Sequence, residues 1–177
     1  MKTVFTSIYR AISRFQSSNI SRGKGVKIAK SAILDTSGGG CIRIGNNTVV
    51  LHGAILGSRG GTITIGSHCS INPYCLLFGH GNLTIGNDVR IAAGTTIIPA
   101  NHVYSDPHKL IRQQGLTTLG ITIEDDVWIG AGAKILDGVT IAKGCVIGAG
   151  AVVTHSTEPY GVYTGVPAVK IKDRAMQ

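Results

Sequence analysis

The chain has 177 residues, carries a formal net charge of +8 and contains 25 glycines, with only 15% charged and 5% aromatic residues. This length suits one domain, and no stretch approaches the roughly 20 apolar residues of a membrane span. The positive charge favours anionic ligands. Nucleic acid is a poor fit, because few aromatics are present and no basic run alternates with stacking residues.

At the N-terminus Val4, Phe5, Ile8, Ile12 and Phe15 recur at helical spacing, with Lys2, Arg10 and Arg14 off that stripe. The spacing predicts a short amphipathic helix within 1–22. Its first role is to cap the open end of the β-rich region beyond it, since exposed strand edges are usually covered. Its second is peripheral docking on an anionic membrane surface, which the basic residues permit. The segment lacks the compact apolar run and small-residue cleavage site of a signal peptide, so the expected location is the cytoplasm, at the inner face of the membrane in the docking case.

From residue 23 to 158 the grammar changes. Ile123, Ile129, Ile135, Ile141, Ile147 and Val153 return at every sixth position. Six residues advance an α-helix by about 600°, so these side chains would scatter around its surface. Six extended residues instead make a flat side of roughly 20 Å, and a turn after each side coils the chain into a prism. The predicted fold is all-β, a parallel β-helix or hexapeptide-repeat solenoid. The fifth position is small or slim, at Val127, Ala133, Val139, Cys145, Ala151 and Thr157, and glycines fall at the corners, where a turning chain needs positive φ or close approach.

Three sides per coil give coil starts at Ile44, Ile65, Ile85, Ile123 and Ile141, and the extra residues always come after the third side. Leu56 to Ile65 has three extra, Leu77 to Ile85 two and Ile97 to Ile123 twenty. All insertions therefore emerge from one edge. The largest, a long loop extruded over 102–120, contains Tyr104, Asp106, Pro107, His108 and Arg112, and long ordered excursions are commonly functional. Ile28 and Leu34, followed by Gly38, Gly39 and Gly40, form an irregular first coil with the same insertion phase.

Cys69, Cys75 and Cys145 occupy the small position and read as buried thiols, whereas Cys41 precedes the first regular coil and stays open. With no CxxC pair and no disulfide framework, the chain suits a reducing compartment. Residues 159–177 form a tail in which Lys170, Lys172 and Arg174 cluster. A solvated basic tail and an anion site are both compatible with it.

The hexapeptides, the segment Val127-Trp128-Ile129-Gly130-Ala131, the run Gly148-Ala149-Gly150-Ala151-Val152-Val153-Thr154 and the ending Gly165-Val166-Pro167-Ala168 resemble the hexapeptide-repeat acyltransferases. Within that family the likeness is greatest to the galactoside, maltose and colanic-acid-type sugar O-acetyltransferases, over roughly Ile44 to Lys172. The resemblance implies a left-handed β-helix, acetyl-coenzyme A as co-substrate and a homotrimer with active sites at subunit interfaces. It also implies a small-molecule or glycan acceptor, with transfer to a sugar hydroxyl in surface polysaccharide biosynthesis. N-acetylation of an amino sugar or antibiotic, or O-acetylation of serine, are alternatives using the same base. A non-catalytic scaffold is the alternative of a different class.

The resemblance places a catalytic histidine where the excursion leaves its coil, here His102 of Pro99-Ala100-Asn101-His102. A neutral imidazole can take the proton of an acceptor hydroxyl as it attacks the thioester, without an acyl-enzyme. Asn72 matches the asparagine that holds that hydroxyl. A turn-forming asparagine is the plainer reading. His80 stands where the sugar enzymes can have an aspartate facing the acceptor, and with Tyr104 and Asp106 completes the acceptor candidates.

On the donor side the same likeness makes Trp128 a wall of the pantetheine cleft, with trimer packing as its alternative. The Ala131 N–H would stabilise the oxyanion. Gly148, Ala149 and Gly150 leave a smooth track, and Thr154, Pro167, Lys170 and Lys172 serve the nucleotide end. The scaffold also carries zinc carbonic anhydrases, but His102 and His108 lack that family's five-residue separation, so no metal is expected.

Overall fold

The computed structural model describes residues 19–174. The N-terminal helix predicted within 1–22 lies almost wholly outside them. Residues Ile20–Arg22 form a strand of the solenoid instead.

The chain winds as a three-sided parallel solenoid. The first face stacks the strands Ile20–Arg22, Cys41–Ile44, Thr62–Ile65, Leu83–Ile85, Ile121–Ile123 and Thr140–Ile141. The third stacks Ile33–Asp35, Ile55–Gly57, Leu76–Phe78, Thr96–Ile97, Lys134–Ile135 and Val152–Val153. The second runs from Lys27–Ile28 through Val49–Val50, Ser70–Ile71, Arg90–Ile91, Trp128–Ile129 and Val146–Ile147, then gains Gly161–Thr164 and Val169–Asp173. The sixfold beat maps directly onto the register, for Ile44 pairs with Ile65, Ile65 with Ile85, Ile85 with Ile123 and Ile123 with Ile141. Each inward aliphatic thus sits on the same position of the next coil, and the column is almost completely dry. Cys69, Cys75 and Cys145 are buried in it, and burial raises the thiol pKa of Cys69 and Cys75.

One inward position breaks the rule. Arg22 aligns with Ile44 but is exposed, so the first coil starts with a charge where the period calls for an aliphatic. At the other end the tail is not loose. Gly161–Thr164 pairs in parallel with Val146–Ile147, and Val169–Asp173 folds back antiparallel upon it.

The corners are held by backbone bonds between coils and, at the corner between the first and second faces, by a ladder of side chains. The backbone N–H of Lys24 donates to Asn46 Oδ1 (2.8 Å), Asn46 to Ser67 Oγ (3.1 Å), Ser67 to Asn87 Oδ1 (2.8 Å) and Asn87 to Asp125 Oδ1 (2.6 Å). Turn amides that lack a strand partner are thereby satisfied by the next coil.

The corner between the third and first faces receives every insertion, as the spacing predicts, and there the coils approach very closely. A Cβ placed on Gly61 would collide with the Gly79 carbonyl oxygen and lie 2.8 Å from that of His80. Gly61→Ala is therefore expected to lower stability by about 1–3 kcal/mol, because backbone cannot give way as a flexible side chain can. Urea unfolding checks this. A loss below a few tenths of a kcal/mol would show that the corner is looser than its geometry.

Candidate active site

The excursion leaves the stack after Ile97, with Pro99 still buried. It is an ordered hairpin: Asn101–His102 pairs antiparallel with Leu116–Thr117, and a single 3-10 turn, Ile111–Gln113, fills the tip. His102 is exposed on the first strand of this hairpin, opposite Leu116, so the backbone fixes its place and leaves the ring outside. Tyr104 is 75% exposed. Asp106 organises the loop. Its carboxylate accepts from the His108 N–H (2.9 Å), its N–H donates to Gln114 Oε1 (3.0 Å) and its carbonyl accepts from Gln114 Nε2 (2.9 Å). His108 thus belongs to a turn built by Asp106.

The same corner of earlier coils carries a second cluster. Gly81 N–H donates to the Pro99 carbonyl at 3.1 Å, tying the His80 corner to the root of the excursion. His80 Nδ1 is buried and makes no hydrogen bond with the described residues. Burial lowers the imidazole pKa, and the positive charge of Arg59 lowers it further, so both favour the neutral ring. Its ring meets Phe78 edge-on at 5.7 Å, and Arg59 lies over that Phe78 at 5.0 Å from the centroid.

Asn72 and the donor-side candidates stand elsewhere, along the second face and its corner with the third. Asn72 Nδ2 donates to the Ile91 carbonyl at 2.8 Å, which commits one amide hydrogen and leaves the other and the Oδ1 acceptor. Gly150 N–H donates to the Ala131 carbonyl (2.8 Å), and Val152 N–H to that of Gly165 (3.0 Å), so Ala131, Gly148, Ala149, Gly150 and the Gly165–Ala168 turn with Pro167 share one corner. Trp128 is 55% exposed on the adjoining face, in register with Arg90 and Val146. With Val146, Val162, Lys172, Asp173 and Arg174 it lines a cleft of about 500 Å³, an apolar shelf with a basic end.

Two donor-side candidates have partners within the chain. Lys170 Nζ is held by Glu158 (2.6 Å) and Asp173 (2.7 Å), and its pKa is raised first by its hydrogen bond to Asp173 and then by that to Glu158. Its charge is already matched within the chain, unlike that of a free phosphate ligand. Thr154 follows the third-face strand Val152–Val153, and its hydroxyl contacts His155 Nδ1 at 2.9 Å.

One chain therefore does not bring His102 and Asn72 together. They lie at opposite ends of the third face, a side of roughly 20 Å. The repeat phase contained this separation, since Asn72 comes after the second aliphatic of its coil and His102 after the third. Arg59 and Phe78 were missed. The only signal was an arginine within a short insertion on the edge that bears the excursion. Among the described residues no three His, Cys, Asp or Glu side chains converge as a metal site, and no helix is long and apolar enough to cross a membrane.

The three-sided solenoid of stacked hexapeptides is a fold that solved acyltransferase structures share. The family model for bacterial transferase hexapeptides (six repeats) matches residues 120–155. The chain is 35% identical over 116 residues to the galactoside O-acetyltransferase of Escherichia coli (strain K12), covering 66% of this chain and 56% of that one. It is 30% identical over 160 residues to the dTDP-4-amino-4,6-dideoxy-D-glucose acyltransferase of Escherichia coli, covering 86% of this chain and 81% of that one. A crystal structure of AntD, an N-acyltransferase from Bacillus cereus in complex with dTDP and 3-hydroxybutyryl-CoA, superposes with a TM-score of 0.78 at 29% identity, over 94% of this chain and 88% of that one. The chain belongs to the hexapeptide-repeat acyltransferase family. It spans about half the length of several curated relatives it matches, 50% to 56%.

Proposed function

We propose that the protein is an acetyl-coenzyme A-dependent O-acetyltransferase acting on a sugar hydroxyl, in surface polysaccharide biosynthesis, with His102 as general base. The observation that carries this reading is the exposed His102, fixed by backbone pairing at the root of the excursion. In this mechanism His102 takes the hydroxyl proton as the oxygen attacks the thioester carbonyl. The Ala131 N–H faces the developing oxyanion, and collapse expels the thiolate, which recovers the proton from His102. Asn72 orients the hydroxyl. Trp128 and the Gly148–Gly150 corner line the path of the pantetheine arm, with Lys172 at its phosphate end.

Because His102 and Asn72 occupy opposite ends of the third face, the reading includes a homotrimer in which the excursion of one copy meets the second-to-third corner of its neighbour. The outer surface of the third face supports it. Ile33, Ile55, Leu76, Phe78 and Val152 point outward there, with Asp35, Thr96 and Lys134 among them, whereas the first face presents Arg43, Thr64, Thr84, Thr122 and Thr140. An outer sheet face richer in large apolar side chains than its neighbour is the pattern of an association surface. We place the protein in the cytoplasm, consistent with four cysteines that are all free.

A second reading, acylation of an amino sugar, is favoured by the likeness to an acyltransferase named for an amino sugar and to an N-acyltransferase. One experiment decides between them. The full chain is incubated with acetyl-coenzyme A and matched hydroxy and amino sugars, and products are read by mass spectrometry before and after hydroxylamine. Hydroxylamine-labile products on the hydroxy sugars support O-acetylation, stable ones on the amino sugars support the second reading, and no product on any acceptor overturns both.

A further inference from the structure

Arg59 is held in place without being used up. It sits in the insertion after the third face of the second coil, with a left-handed backbone (φ +50°) that non-glycine residues rarely adopt. Its guanidinium lies over the Phe78 ring, 5.0 Å from the centroid, a contact that restrains the side chain without using its N–H donors. Its one acidic neighbour among the described residues is Asp35, with a single Nη1 to Oδ2 contact of 3.9 Å and the arginine side chain 45% exposed. An ion pair this long and wet is weak. Asp35 is meanwhile occupied by the Ser37 N–H at 2.8 Å, so it has a partner whether or not the arginine stays.

Three other cations of the fold are consumed. Arg174 bonds Asp126 Oδ2 and the Gly144 carbonyl, both at 2.9 Å, Lys170 is matched by Glu158 and Asp173, and Arg90 donates to the His68 carbonyl. Arg59 differs in position too. Through Phe78 it continues into His80, and the His80 corner is bonded through Gly81 to Pro99 at the root of the His102 excursion. A charged fork, an aromatic edge and an imidazole thus form one strip leading to the proposed base.

We propose that Arg59 is a specificity residue that reads an anionic group on the acceptor, so that the sugar acetylated carries a phosphate or a carboxylate. This rests on the acetyltransferase reading above. A phosphate or carboxylate offers the planar pair of oxygens that the guanidinium fork accepts bidentately, and would displace the single long contact to Asp35.

The test compares a neutral hexose, its phosphate and the corresponding uronate. Binding to the full chain is measured by calorimetry with coenzyme A present, which needs no acetyl transfer, and kcat/KM is measured for each with acetyl-coenzyme A. Wild type is expected to bind a charged sugar at least about tenfold more tightly than the neutral one. R59Q should remove most of that preference and R59K retain part of it. D35N should enlarge it, because it removes the competing carboxylate, and a merely structural Arg59–Asp35 pair would give no such opposite response. Whichever of the phosphate and the uronate shows the Arg59-dependent preference identifies the group. An equal preference in wild type and R59Q, or no preference in wild type, overturns the assignment. Arg59-dependent binding without transfer to any sugar would instead sink the acetyltransferase reading and leave the anion site standing. Thermal unfolding of each variant shows whether it has folded.

Discussion

His102→Ala is expected to lower kcat/KM for acetyl transfer by about 10²- to 10⁴-fold while the protein stays folded. The loss arises because no water at neutral pH replaces a positioned imidazole in taking the hydroxyl proton during attack. Folding is spared because the hairpin is held by backbone bonds, His102 against Leu116 and Asn101 against Thr117, and the imidazole itself is exposed. Acceptor-dependent thiol release measures the first effect and thermal unfolding the second. Calorimetric binding of acetyl-coenzyme A should persist, since the donor-side residues lie along another corner. Turnover equal to wild type would exclude His102 as the base.

Leu76→Arg should be as severe by a different route. Leu76 lies on the outer surface of the third face, between Ile55 and Thr96 in register, while Leu77 points inward. The substitution leaves the core column intact, so cooperative unfolding is retained. It places a charge within the apolar patch that the trimer would bury, where an unpaired charge is strongly unfavourable. The expected result is a monomer by light scattering with acetyl transfer reduced at least about 100-fold, because each cleft would have lost one wall. A monomeric variant with full activity would show that one chain holds the whole site.

The fold was legible because solenoid contacts are periodic. Residues that touch are a coil apart, so the phase of Ile44, Ile65, Ile85, Ile123 and Ile141 already states the register found in the structure. The common edge of the insertions was legible for the same reason. Contacts outside the period were not. The fold-back of Val169–Asp173, the pairing of Lys170 with Glu158 and the stacking of Arg59 on Phe78 join residues whose spacing has no fixed beat. The candidate site stands between these cases. Its residues came from a family likeness. Their distribution over two corners could have been counted from the phase, because Asn72 and His102 come after different sides of the prism.

Arg22 bears on how the molecule opens. In a linear stack each coil is secured only by its neighbours, so an end unit frays before an interior one, and amide hydrogen exchange reads that gradient. A charge in place of an inward aliphatic weakens the first coil of the described residues, and protection should rise from Ile20 towards the middle of the stack. The excursion springs from between Thr96–Ile97 and Ile121–Ile123, strands clamped by coils on both sides. Loosening that begins at the Arg22 end would therefore be spent before it reached the root of the hairpin, keeping the corner that bears His102 rigid while the far end breathes.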